Sequence, residues 1–314
     1  YSEMVTTGAL IYGDNLNRFL GHSPEESPIV LQLGGSDSND LATCAKLGEQ
    51  WGYSEINLNV GCPSDRVQNN MIGACLMAHP TLVAQNVAAM KAVTNLPITV
   101  KCRVGIDDQA TLESLLDFIT HINQAGVDGV IIHARKAWLQ GLSPKQNRDV
   151  PPLQYEWVHH VKQAFPTLSI AINGGLKSLD AGFIHLQPYA HKNTTLPALD
   201  GVMLGRSVYE QPYMLSQVDA LYYQKQTAVP SREEVLYKMY PYIENHLSNG
   251  GKLNQITRHM LGLFHGLPGG RLWRRYLSEN AFQSTSGIDV VETAYKRVRA
   301  EIQRMQDRGQ YDLP

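Results

Sequence analysis

Four cysteines in 314 residues, with no CxxC pair and no zinc-like spacing, argue against a disulfide framework and a structural metal site. No apolar run approaches the roughly 20 residues of a membrane helix, and no signal segment is visible, so no membrane contact is expected and a reduced, cytoplasmic setting is. No GxGxxG follows any apolar run, which leaves a dinucleotide-binding open sheet unsupported. Acids are missing between Glu244 and Glu279, a window that carries Lys252, Arg258, Arg271, Arg274 and Arg275. The net charge of -2 hides this asymmetry: residues 1–230 hold 15 Lys and Arg against 20 acids, residues 231–314 hold 12 against 9. At 43% hydrophobic and 18% charged, the chain is globular and long enough for one large domain and a smaller one.

Seven short apolar runs are present, at 3–6, 29–33, 56–60, 98–102, 129–133, 169–173 and 201–205, each followed by a polar loop and a helically spaced segment. Strands alternating with helices imply a parallel sheet, and the fold class is α/β. A TIM (β/α)8 barrel is favoured over a doubly wound sheet because nearly every run ends in polar residues or glycine: Gln32, Asn59, Lys101, Arg103, His133, Arg135, Asn173, Arg206. A barrel gathers its active site at those ends. Asn173-Gly174-Gly175 and Gly205-Arg206-Ser207 close the last two units, where backbone N–H groups commonly hold a phosphate. A barrel needs eight strands and seven are found, so the first strand is expected upstream of Tyr1.

The tail reads as a small all-helical bundle. A polar linker at 223–230 precedes a capping box of Ser231 and Glu234, then helices at 253–265, 271–282 and 290–308, the last opened by an Asp289–Glu292 box. This divides the chain into a barrel at 1–225 and a helical domain at 226–314. Arg271, Arg274 and Arg275 share a helix face, and their mutual repulsion suits a phosphate-binding surface. Trp273, Tyr276 and Phe264 have the spacing of core residues.

Cys62 is the exceptional cysteine. Cys44, Cys75 and Cys102 lie in apolar patterns, whereas Cys62 stands where a strand runs out into Gly61-Cys62-Pro63, and a thiol there can do proton chemistry. Lys101, flanked by Val100 and Cys102, is costly to bury unless it meets negative charge, from a barrel carboxylate or from a ligand. His133 and Arg135, two residues apart, face one side if the strand continues, as a ligand-facing pair or with His133 as a core histidine. The amides of Gln32 and Asn173 either meet a ligand or bridge strands.

These motifs together resemble the flavin-dependent tRNA-dihydrouridine synthases, most closely their subgroup A. The resemblance is carried by LQLGG at 31–35, NLNVGCPSDRV at 57–67, GACLM at 73–77, VKCRVGIDD at 100–108, IIHARKAWLQGLSPKQNRDVPPL at 131–153, INGG at 172–175 and ITRHMLGLFHGLPGGRLWRRYLSENA at 256–281. It implies FMN in the barrel mouth, NADPH as reductant, and as partner a tRNA whose D-loop uridine, 20 or 20a, is reduced by a monomer. Gln32, Lys101, His133, Asn173, Gly174, Gly175, Gly205 and Arg206 match FMN-contacting positions, and Cys62 matches the catalytic acid. Asn59, Arg135, Lys145, Arg148, Arg271, Arg274 and Arg275 are the expected substrate and tRNA contacts. The chain departs from the family at Asn70, where glycine is usual and a left-handed turn is expected, and in a long stretch at 185–200. The rival within the same chemistry is an FMN-dependent dihydropyrimidine or dihydroorotate dehydrogenase acting on free pyrimidines, against which the basic tail argues. A flavin-free RNA-binding protein on a decayed barrel is the rival from another class, and Cys62, Lys101 and His133 argue against it.

Overall fold

The alternation of apolar and polar residues along the strand segments separates the two faces of one sheet. The computed structural model describes residues 1–64, 70–283 and 285–311. Seven parallel strands, β1 (Val5–Thr6), β2 (Val30–Gly34), β3 (Glu55–Val60), β4 (Ile98–Arg103), β5 (Gly129–His133), β6 (Ser169–Asn173) and β9 (Gly201–Met203), pair in that order. A doubly wound sheet would reverse direction at a central strand; this order never does, which is the winding of a TIM barrel.

One face is apolar and sealed. Leu31, Leu33, Ile56, Leu58, Val60, Ile98, Val100, Cys102, Ile132, Ile170 and Ile172 are all fully buried. A side chain of this kind contributes about 1.5–3 kcal/mol when removed from water. Helices cover this face: a Cβ on Gly48, in the helix Ser38–Gln50, would lie 2.5 Å from Ile56 and 2.9 Å from Leu31. The opposite face carries the polar residues.

The long stretch after β6 holds an antiparallel hairpin, β7 (Tyr189–His191) and β8 (Thr194–Leu196). It packs on the helix Tyr155–Ala164, with the His159 ring stacked on Tyr189 at 4.2 Å. His159 Nδ1 donates to the Pro197 carbonyl (2.8 Å), which leaves Nε2 to accept from His185 Nδ1 (3.1 Å). Burial, reinforced by His159, pushes the His185 imidazole down to about 4.

The chain forms two compact units, Tyr1–Leu176 with Asp180–Met203, and Lys177–Leu179 with the residues from Leu204 onward. They divide upstream of residue 225, so the segment after β9 groups with the helices rather than with the sheet. In the second unit Trp273, Leu236, Ile243 and Val291 are fully buried in one apolar core, and Trp273 Nε1 donates to the Met260 carbonyl at 3.0 Å. Ser231 caps the helix Arg232–Ser248 as its box predicts. Three local expectations are corrected. The helix from Leu253 ends at Met260; the chain turns just beyond it, and a Cβ on Gly262 would lie 2.2 Å from the Glu210 carbonyl oxygen. The last helix starts at Ile288 behind Gly287, so Asp289 is already inside the helix and forms no cap. The left-handed residue beside Asn70 is Met71, at φ 53°. Among the described residues no helix is long and apolar enough to cross a membrane.

Candidate active site

The polar face of the sheet is a continuous chain of hydrogen bonds. Thr99 Oγ1 donates to the Glu55 carboxylate and accepts from Asn57 Nδ2 at 2.9 Å. Gln32 Nε2 donates to Asn57 Oδ1 (3.1 Å), and Gln32 Oε1 accepts from Asn59 Nδ2 (2.9 Å). The register explains this: Gln32 lies opposite Asn57, and Asn57 opposite Thr99. Gln32 therefore bridges strands while keeping a second amide N–H.

Asn59 ends this chain by building the cysteine loop. Its Oδ1 accepts from the backbone N–H groups of Gly61 (3.1 Å) and Cys62 (3.0 Å). Arg103 Nε donates to the Gly61 carbonyl at 2.8 Å, and the Ala74 N–H donates to the Cys62 carbonyl at 2.9 Å. Every backbone polar group flanking Cys62 thus has a partner, while its thiol is half-buried at the loop. The loop's continuation at 65–69 lies outside the described residues.

Lys101 sits one register step from this loop, opposite Asn59. Its ammonium donates to Asn173 Oδ1 at 3.2 Å, and Asn173 Nδ2 donates to the Met203 carbonyl at 2.7 Å. Among the described residues no carboxylate pairs with Lys101; its hydrogen bond is to a neutral amide. Burial, with Arg103 beside it, brings the ammonium down to about 8, against the pull of Cys102 and Cys62. A cation in this state suits a planar anion at the strand ends.

His133 lies opposite both Arg103 and Asn173 in the register. A Cβ on Gly174 would fall 2.4 Å from the His133 ring, and Gly174 has φ +107°, so glycine is required here on both counts. Gly175, at φ +72°, is confined by Leu153 and by Tyr155, whose hydroxyl donates to the Gly174 carbonyl at 2.8 Å. β5 stops at His133, so strand alternation does not carry Arg135 to its side; the Arg135 guanidinium donates to the Pro151 carbonyl. Lys145 and Arg148 are exposed on the loop beyond it.

Gly205, Arg206, Arg271, Arg274 and Arg275 belong to the second unit. Gly205 has open space where a Cβ would sit, and it is exposed, as is Arg206. On the helix Gly270–Asn280, Arg275 pairs with Glu279 at 2.8 Å, whereas Arg271 and Arg274 have no ion-pair partner among the described residues. Trp273 and Phe264 are buried, and Tyr276 lies under the Arg297 guanidinium.

Some supporting residues had no clear signal in the sequence. Asn147, fully buried, accepts from the Trp138 N–H (2.8 Å) and donates to the carbonyls of Trp138 and Leu142. Nothing distinguishes it from its neighbours in SPKQNR. Thr99 and Asn57 were legible only as the polar half of an alternation, which is ordinarily taken for a solvent face.

A TIM barrel that gathers a clamped thiol, an ammonium facing a neutral amide and a histidine at its strand ends is an enzyme. The chain belongs to the dihydrouridine synthase family, whose model matches residues 1–299. It is 55% identical over 302 residues to a tRNA-dihydrouridine(20/20a) synthase of Shewanella oneidensis, covering 96% of this chain and 87% of that one. Enzymes of the same name from Vibrio vulnificus (52% over 303 residues, 96% and 89% covered) and Escherichia coli K12 (54% over 299 residues, 95% and 83% covered) are similarly related.

Proposed function

We propose that this enzyme is a tRNA-dihydrouridine(20/20a) synthase that uses FMN and NADPH to reduce the C5=C6 bond of a D-loop uridine. The observation that carries the reading is Lys101, a cation on a barrel strand whose described hydrogen bond is to the neutral amide of Asn173. This donor set fits a flavin: Lys101 would oppose the negative charge of the reduced ring, Gln32 and His133 would offer further polar contacts, and Gly174-Gly175 would leave the backbone bare for a phosphate. FMN, reduced by NADPH, would supply the hydride to C6.

The protein's own part is the proton. A thiol, a weak acid positioned at the reacting ring, can give it to C5. Cys62 is that donor, and the bonds to Asn59, Arg103 and Ala74 fix its backbone. Asn59 serves the loop first, having committed its Oδ1 to two backbone donors. Arg135, Lys145 and Arg148 lie on the loop after β5 and receive the uridine and its phosphate. Uridine must leave its stack to expose C5 and C6. Gly205 and Arg206 keep the FMN-contacting role that the family implies, and Arg271, Arg274 and Arg275 grip the tRNA backbone.

Unmodified tRNA incubated with the enzyme, FMN and NADPH should gain two hydrogens, mapped by mass spectrometry to uridine 20 or 20a. Cys62→Ala should lower that rate by about 10²–10⁴-fold while flavin reduction by NADPH persists. NADPH oxidation only with free uracil or orotate, and none with tRNA, would assign a free-pyrimidine dehydrogenase instead.

A further inference from the structure

Arg103, the last residue of β4, is 3% exposed, and its described partners are three backbone carbonyls rather than an acid. Nε donates to Gly61 O (2.8 Å); Nη1 donates to Lys136 O (3.2 Å) and Asn147 O (3.0 Å). Asn147 is itself locked by Trp138 and Leu142, so the guanidinium rests on a fixed shelf. A buried cation held only by neutral groups is costly, and a neutral donor could satisfy those carbonyls at lower cost. Its charge therefore calls for a purpose.

The Gly61–Cys62 peptide supplies one. Arg103 holds the carbonyl of that peptide and Asn59 holds its N–H, so the sulfur keeps little freedom beyond its own χ1. Burial brings the Arg103 ionisation down to about 10, with Cys62 opposing that fall and Arg148 and Arg135 adding to it. When the thiol donates, its S–H bond breaks, a C–H bond forms at C5, and the electron pair stays on sulfur as a thiolate. The two electrons that reduce C5=C6 arrive with the hydride at C6, from the reductant.

We propose that Arg103 is a positioning residue for the proton donor: it fixes the Gly61–Cys62 peptide, ties that loop to the one carrying Lys136 and Asn147, and sets a positive charge beside the thiolate that donation leaves. This rests on Cys62 being the acid.

The test uses holoenzyme and the variants Arg103→Gln and Arg103→Lys, alone and with Cys62→Ala. Flavin absorbance and its reduction by NADPH should stay within about two-fold of wild type. Reoxidation of the reduced enzyme by tRNA should fall on the order of 100-fold in Arg103→Gln, the scale of an ångström-sized misplacement, and less in Arg103→Lys. In the Cys62→Ala background the Arg103 substitutions should add almost nothing. Independently of turnover, amide exchange at 61–62 should quicken at least ten-fold in Arg103→Gln while β6 is unchanged. Equal slowing in both cysteine backgrounds, unchanged exchange, or loss of flavin from both variants would overturn the proposal in favour of a purely structural arginine. Wild-type reoxidation by Cys62→Ala would instead remove the assignment of the acid, and this proposal with it.

Discussion

The polar strand ends of the first unit and the cationic helix of the second put side chains to opposite uses. Gln32, Asn57, Asn59 and Thr99 are tied to one another by side-chain hydrogen bonds within the sheet, and Lys101 is tied to Asn173. Arg271 and Arg274 stand on a helix of the second unit with no ion-pair partner among the described residues. Preorganised groups lose little on meeting a ligand and are sensitive to displacement by an ångström. Long exposed cations act through released counterions, tolerate movement and respond to salt. Substitutions in the first region should therefore change the chemistry or the cofactor, and those in the second the grip on RNA.

Among the residues matched to the cofactor, the largest effect is expected at Lys101. Lys101→Met should weaken binding of the reduced, anionic flavin by about 10–100-fold, the scale of one charge-assisted hydrogen bond. Its titration gives a second handle. Between about 8 and its ordinary value near 10.5, the unfolded chain keeps a proton that the native apoprotein has released. Apoprotein stability from this group thus rises with pH across that window, while flavin affinity should fall as the ammonium is lost if Lys101 faces the flavin. Opposite slopes in melting and flavin titrations, both abolished in Lys101→Met, are the expected result; parallel slopes would mean that Lys101 does not face the flavin.

Two glycines matched to the same cofactor sharpen the contrast. Gly174→Ala places a methyl group 2.4 Å from the His133 ring at a φ of +107° and should destabilise the enzyme by about 1–3 kcal/mol. Gly205→Ala meets open space at φ −124° and should stay within about 0.5 kcal/mol. If Gly205→Ala nonetheless releases FMN without changing the apoprotein's melting, the space there belongs to the phosphate.

The His159–His185 pair beneath the hairpin carries a stability effect of intermediate size. His159 and His185 are held neutral by burial, His185 down to about 4. Below about 6.5 the unfolded chain takes up protons that the native state refuses, so stability falls as pH drops from about 6.5 toward 4. The melting temperature should drop by several degrees between pH 7 and pH 5 in wild type, and by less in His185→Gln. An equal drop in both would show that other groups govern acid sensitivity.

Much of the first unit was legible because its physics is periodic. Seven apolar runs at strand spacing became seven paired strands, and the polar residues at their ends became the hydrogen-bonded face. Asn147 and the Arg103 shelf were not, because their role depends on which carbonyls the fold brings within 3.2 Å, a distance no spacing encodes. The pairing of Asn59 with its own loop escaped for the same reason: an asparagine near a strand end looks identical whether it meets a ligand or two backbone N–H groups. The hairpin at 189–196 registered only as surplus length, since its strands are three residues each and the stacked His159 and Tyr189 lie far apart in sequence.

The smallest effects should distinguish three arginines on one helix. Arg271→Ala and Arg274→Ala should each weaken tRNA binding about three- to ten-fold and reduce the slope of log affinity against log salt by about one, as expected when one phosphate contact is lost. Arg275 already spends its charge on Glu279 four residues along, and such exposed pairs hold only weakly. Arg275→Ala should therefore change affinity less than two-fold, whereas Glu279→Gln, which frees Arg275, should tighten binding slightly and steepen the slope. Equal losses from all three arginines would mean that the Glu279 pair opens when RNA arrives, and unchanged slopes throughout would move the RNA-binding surface off this helix while leaving the strand-end chemistry untouched.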